Sequence, residues 1–246
     1  MTRFLRNLVL AAAAGAALAA AVTPAASADS ADKTVTVFPG MEIRQESTMC
    51  TLGFVDPVAR IAFSAGHCRG SGPVTDRNGR PIGVVTTSRD NTPDGSVVRV
   101  DQVISDYETI ALNADVAVNN LLPGGRALVA DVVAPMAVGQ QVCHFGIVTG
   151  ESCGTVERIN NGWFTMTNGV VSQKGDSGGP VYVPAESGKA VMVGLFNSTW
   201  GRLPAAVSWQ ATGQQLREDS IAVNAAVNSA LNTALNNPVV NAAARN

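Results

Sequence analysis

Lys174-Gly175-Asp176-Ser177-Gly178-Gly179-Pro180 stands directly before the apolar run Val181-Tyr182-Val183. A nucleophilic serine needs an exposed hydroxyl and backbone N–H groups aimed at the charge that develops on the attacked oxygen. Flanking glycines supply both, because they reach backbone angles closed to other residues and let a second backbone approach without meeting a Cβ. A glycine-rich turn by itself signals only a change of chain direction. A second stretch far upstream, Phe63-Ser64-Ala65-Gly66-His67-Cys68, alters the reading. The chain has 2 histidines, and serine is a weak nucleophile without an adjacent base. His67 is therefore the candidate general base for Ser177.

Outward from these motifs, Thr34 to about Trp209 consists of short apolar runs such as Ile82-Gly83-Val84-Val85 and Trp163-Phe164-Thr165-Met166. Turn chemistry separates them, as in Arg77-Asn78-Gly79 and Asn160-Asn161-Gly162. This rhythm predicts an all-β sandwich or barrel. From Asp219 to Asn236 the apolar residues recur near a helical period, Ile221, Val223, Val227, Leu231 and Leu235 among them, and Pro238 ends the run. One C-terminal amphipathic helix is expected there, packed against the β domain.

The whole chain has 246 residues, 46% hydrophobic and 15% charged, which excludes disorder and allows a sizeable core. Its net charge of -2 gives no reason to expect a nucleic-acid partner. Arg3 and Arg6, the apolar run Leu8 to Val22 and the small residues Ala26-Ser27-Ala28 have the three-part form of a secretory signal peptide. Residues 1–28 are accordingly expected to be removed on export, leaving no stable membrane anchor. Export makes the four cysteines candidates for disulfides. Three pairings are possible, and the short-range one joins Cys50 to Cys68 and Cys143 to Cys153. Each of those would close a loop worth about 3 kcal/mol by chain entropy. No Cys-x-x-Cys is present, so a metal site is not expected, and nothing in the motifs asks for a cofactor.

The two motifs, in the chain order histidine before serine, resemble those of chymotrypsin-fold serine peptidases. The likeness extends over about Cys50 to Trp209 and is similar to the secreted bacterial branch of α-lytic protease and the streptogrisins. Met49-Cys50-Thr51-Leu52-Gly53-Phe54 with Gly66-His67-Cys68, and Cys143 with Ser152-Cys153-Gly154-Thr155-Val156, resemble that branch's two disulfides. The resemblance implies two packed six-stranded antiparallel β-barrels with the site between them; with the signal pattern and the helical period, the chain divides into a peptidase domain over residues 29–216 and a helix and tail over 217–246. It also implies a monomeric endopeptidase acting on polypeptide, with Gly175 and Ser177 N–H groups as the oxyanion hole.

Three aspartates compete for the third catalytic position. Asp106 opens Asp106-Tyr107-Glu108-Thr109-Ile110 and is preferred; Asp115 opens Asp115-Val116-Ala117-Val118; Asp94 opens Asp94-Gly95-Ser96. The pocket is expected between Lys174 and the segment Asn197-Ser198-Thr199-Trp200, whose bulk narrows or blocks it. Val170 to Lys174 contains no acid, which argues against an Arg or Lys preference. His144 occupies the place where α-lytic relatives carry an arginine facing the buried aspartate, so two expectations stand side by side: a pair with Asp176 that raises its pKa, or an exposed histidine beside the disulfide. Two rivals share these residues: a catalytically silent binding protein with an occluded pocket, and an esterase-like hydrolase.

Overall fold

The structure, a computed structural model, describes residues 34–93, 97–130 and 136–235, with side chains through Ser229. The expected signal peptide and Asp94 lie outside the described residues.

The N-terminal half comprises β1 (Thr36–Val37), β2 (Glu42–Gln45), β3 (Thr48–Thr51), β4 (Phe54–Asp56) and β5 (Ile61–Ser64). A 3-10 turn at Gly66–Cys68 follows, then β6 (Val74–Asp76), β7 (Pro81–Asp90), β8 (Asp106–Leu112) and β9 (Ala117–Val118). Seven of these form one curled antiparallel sheet in the order β3-β2-β6-β7-β8-β5-β4, while β1 pairs in parallel with β9. Period-two patterning explains the pieces: in β2, Ile43 and Gln45 turn inward while Arg44 faces solvent. Val37, Ile43, Leu52, Val55, Ile82 and Ile110 fill the interior.

The second half contains β10 (Ala127–Ala130), β11 (Gln141–Gly146), β12 (Gly150–Ile159), β13 (Trp163–Thr167), β14 (Pro180–Pro184), β15 (Lys189–Trp200) and β16 (Leu203–Ser208). The pairing runs β15-β14-β11-β12-β13-β16 and returns to β15, closing a six-stranded barrel, with β10 added in parallel along β15. This is the chymotrypsin-like two-barrel architecture, with one barrel fully closed and the other a curled half-barrel. Both disulfides take the short-range pairing, Cys50–Cys68 and Cys143–Cys153.

A separate cluster joins the halves: Phe54, Phe63 and Tyr107 from the first, Tyr182, Leu195 and Trp200 from the second. Trp209 completes it, its ring 5.3 Å from Phe54 and 5.0 Å from Phe63. Trp209 also begins α1 (Trp209–Leu235), which starts well before the expected Asp219 and crosses the expected boundary at 216. The earlier start follows from β16 running straight into the helix, with Trp209, Thr212 and Gln215 buried against the body. The stretch whose periodicity announced the helix behaves otherwise: Ile221, Val223 and Val227 are 69%, 61% and 59% exposed. Packing is confined to the first turns, whose Gly213-Gln214-Gln215 weakens the apolar pattern. Arg89 of β7 and the Tyr107 hydroxyl both donate to Asp219, fixing the helix to the strands that bear the site. Among the described residues, no helix is long and apolar enough to cross a membrane.

Candidate active site

His67 lies in the short 3-10 turn that follows β5, and Asp106 opens β8, which pairs with β5. Asp106 is fully buried and receives three donors. His67 N–H reaches Oδ1 at 2.8 Å, His67 Nδ1 reaches Oδ2 at 2.8 Å, and Asn197 Nδ2 reaches Oδ2 at 2.5 Å. The imidazole side chain is 31% exposed, so its other edge remains accessible. Burial depresses the His67 pKa, but the hydrogen bond and charge of Asp106, with help from Asp90, outweigh it and hold the value above 6.5. Asp115, the second candidate, sits in an exposed turn before β9 without a contact to His67 among the described residues.

Ser177 is delivered by the loop between β13 and β14. The turn Gln173-Lys174-Gly175-Asp176 closes through Asp176 N–H to Gln173 O at 3.0 Å, with Gly175 at φ +107°, a conformation that favours glycine. Gly178 at φ +81° passes so close to Thr51 O and Ala65 N that a Cβ there would collide with the histidine-bearing half. The Ser177 carbonyl accepts from Thr51 N–H at 2.8 Å and lies 3.9 Å from Cys68 Sγ, which brings the serine beside the His67 turn. The Ser177 hydroxyl donates to Asn197 O at 3.3 Å. Among the described residues, the N–H groups of Gly175 and Ser177 are not committed to any acceptor.

The expected His144–Asp176 pair does not form. Asp176 is buried and takes its donors from elsewhere: Val148 N–H at 2.9 Å, Thr149 N–H at 3.2 Å, Thr149 Oγ1 at 2.9 Å and Gln173 N–H at 2.7 Å. His144 is wholly buried, stacked 4.5 Å from Phe196, with Nδ1 3.3 Å from Pro180 O. Its pKa moves opposite to the expectation, down to about 4, because desolvation exceeds the attraction of Asp176. Position beside Cys143 identified a neighbour of Asp176, whereas its donors are Val148 and Thr149 at the β11–β12 hairpin tip and Gln173 in its own loop.

Of the expected pocket residues, Asn197 is a support for Asp106. It is the extra residue of a bulge between Phe196 and Ser198, and the bulge turns its amide toward Asp106 and Thr92. Lys174, Ser198 and Thr199 are exposed near the serine, and Thr199 Oγ1 lies 3.1 Å from Ser172 Oγ. Trp200 is buried, edge-on to Trp163 at 4.9 Å, and lines a cavity of about 280 Å³ with Val97, Val98, Val100 and Arg158. Sequence reasoning missed Thr51 and Thr149; a threonine in a strand or hairpin carries no distinguishing signal of its own.

No family model matches the chain. Two curated relatives from Mycobacterium tuberculosis, "Uncharacterized protein Rv1815" (strain ATCC 25618 / H37Rv) and "Uncharacterized protein MT1863" (strain CDC 1551 / Oshkosh), are each 57% identical over 205 residues, 83% of this chain and 91% of theirs. Among solved structures, Cellulomonas bogoriensis chymotrypsin is similar with TM-score 0.50 at 24% identity, over 75% of this chain and 96% of that one. A glutamic acid specific serine protease gives TM-score 0.50 at 21% identity, over 70% and 92%. A scabies mite inactivated protease paralogue gives 0.51 at 14%, over 73% and 94%. These likenesses establish the chymotrypsin fold, which active and inactivated proteins share.

Proposed function

Since the chain belongs to the same family as the two Mycobacterium tuberculosis proteins and has the chymotrypsin fold, we propose that it is a serine endopeptidase. The observation that carries this reading is the doubly bonded His67–Asp106 pair beside a serine loop whose Gly175 and Ser177 N–H groups are free to receive an oxyanion. Ser177 Oγ attacks the scissile carbonyl while His67 takes its proton, and the C–O bond of an acyl-enzyme replaces the C–N bond. His67 returns the proton to the leaving amine, and water repeats the sequence to release the acid. Asp106 holds the imidazole tautomer and stabilises the charged ring. The serine hydroxyl must leave Asn197 O to meet His67, a tightening expected on substrate binding.

Substrate is proposed to bind as an extended strand. Ser198, Thr199 and Trp200 pair with β16 on one side, while on the other side the last backbone bonds of β15 join Phe196 to Gly178 and Gly179, leaving the edge beyond Phe196 for a peptide beside Ser177. The Ser172–Thr199 bond ties the segment before the nucleophile to that edge, and Lys174 is the charged group at the rim. The disulfides suit an oxidising compartment, and we place the working enzyme outside the cytosol.

A second reading, a silent binding protein, is favoured by the Ser177–Asn197 hydrogen bond. Fluorophosphonate labelling of the oxidised protein, with mass spectrometry and Ser177→Ala as control, separates the two. Adduct confined to Ser177 is expected; a folded sample that stays unlabelled overturns the peptidase reading.

A further inference from the structure

We infer that Thr51 is a positioning residue that holds the oxyanion hole of Ser177 open, an inference that rests on the peptidase reading. Thr51 ends β3 beside disulfide-bonded Cys50 and is fully buried. Its side chain spans the junction of the two halves. The hydroxyl donates to Gly175 O at 2.9 Å and accepts from Ile147 N–H at 3.0 Å. Its backbone N–H donates to Ser177 O at 2.8 Å, and its carbonyl accepts from Ser64 Oγ at 3.1 Å.

The consequence follows from peptide geometry. An oxyanion hole fails if a peptide of the nucleophile loop rotates, since a carbonyl dipole then faces the site and repels the developing charge. Gly175 is the residue least able to resist such rotation, having no Cβ and already standing at φ +107°. Thr51 draws the carbonyls of Gly175 and Ser177 toward the first half, and Asp176 N–H is spent on Gln173 O. These bonds fix the peptides 175–176 and 177–178, so the two hole donors, on the neighbouring peptides 174–175 and 176–177, are flanked by peptides whose orientation is set. One threonine thus restrains the loop from its front, while the hairpin tip restrains it from behind through Asp176 and through Ile147 on the same hydroxyl.

The hydroxyl is the element that matters, so Thr51→Val and Thr51→Ser divide the role cleanly. Valine keeps shape and strand preference but loses both hydrogen bonds; serine keeps both with a freer χ1. Labelling of wild type by fluorophosphonate comes first, because an unlabelled wild type removes the peptidase reading and this inference with it. In a labelled protein, kcat and KM on a peptide p-nitroanilide and inhibition by a peptide boronic acid are then compared.

T51V is expected to lower kcat by about 10- to 100-fold, less than deletion of a hole donor, with KM held within about twofold. Boronate affinity should fall in parallel with kcat, and T51S should recover most of both. If T51V does not fold, T51A is read in the same way against T51S. The inference is overturned by an unchanged kcat, by a loss appearing only in KM, or by failure of serine to restore what valine removes.

Discussion

Glu108 stands two residues beyond Asp106 on β8, wholly buried, with Gln45 Nε2 donating to one carboxyl oxygen at 2.5 Å. The other oxygen has no partner among the described residues. Burial is the main cause pushing its pKa up to about 8; the Gln45 bond opposes this and Asp106 reinforces it, while His67 and Arg69 draw it back down. A carboxyl raised in this way contributes its full stability below the unfolded value near 4.5 and loses it as pH climbs through about 8. Glu108→Gln removes that slope. Denaturant titrations at pH 5 and 8 are expected to show the variant gaining on wild type toward pH 8, by on the order of a few kcal/mol. His67 acts in the opposite sense on activity. Because its pKa is raised, kcat/KM should fall with acid on a limb lying above the ordinary imidazole value of 6.5. His67 and Ser177 were legible because their neighbours are unusual; Asp106 was one of three until β8 paired with β5. His144 was misread because adjacency in sequence says nothing about which face of a strand is dry.

The β11–β12 hairpin is the element on which the nucleophile loop depends. Its three-residue tip directs the N–H groups of Ile147, Val148 and Thr149 at Thr51 and Asp176, and Cys143–Cys153 pins its two strands. A Cys143→Ala, Cys153→Ala double variant should lose about 3 kcal/mol and label more slowly at Ser177. Both are measurable, by denaturation and by adduct formation against time. In α1 the holding contact is Asp219, whose pKa is lowered chiefly by the hydrogen bond from Arg89. Asp219→Asn is expected to cost about 1–2 kcal/mol at neutral pH, and the difference should shrink as acid protonates the carboxylate. Circular dichroism melts at pH 7 and below pH 4 would measure it. The helix was legible in its exposed half, where a clean period survives without packing, and hidden in its buried half, where glycine and glutamines break the pattern.

At the scale of the whole molecule, two short motifs identified the architecture and the apolar rhythm supplied only its class. Nothing in the strand spacing distinguishes a closed ring from a curled sheet, since closure depends on β15 meeting β16 across the turn at Gly201 and Arg202. The junction between the halves was equally hidden, because Phe54, Phe63 and Trp209 lie far apart in the chain and meet only after folding. The site is a product of that junction: Ser177 and Asn197 come from one half, His67, Asp106 and Thr51 from the other.

The cradle of Asp176 is made from peptide groups and one hydroxyl, with no cation among its described donors. Mobile ions weaken attraction between accessible charges over about 10 Å at 0.1 M, and a hydrogen bond from a buried neutral group is largely indifferent to them. The nucleophile loop should therefore keep its shape in brine. Fluorophosphonate labelling rates in dilute buffer and in about 1 M sodium chloride are expected to agree within about twofold, whereas a loop held by an exposed ion pair would slacken as salt was added.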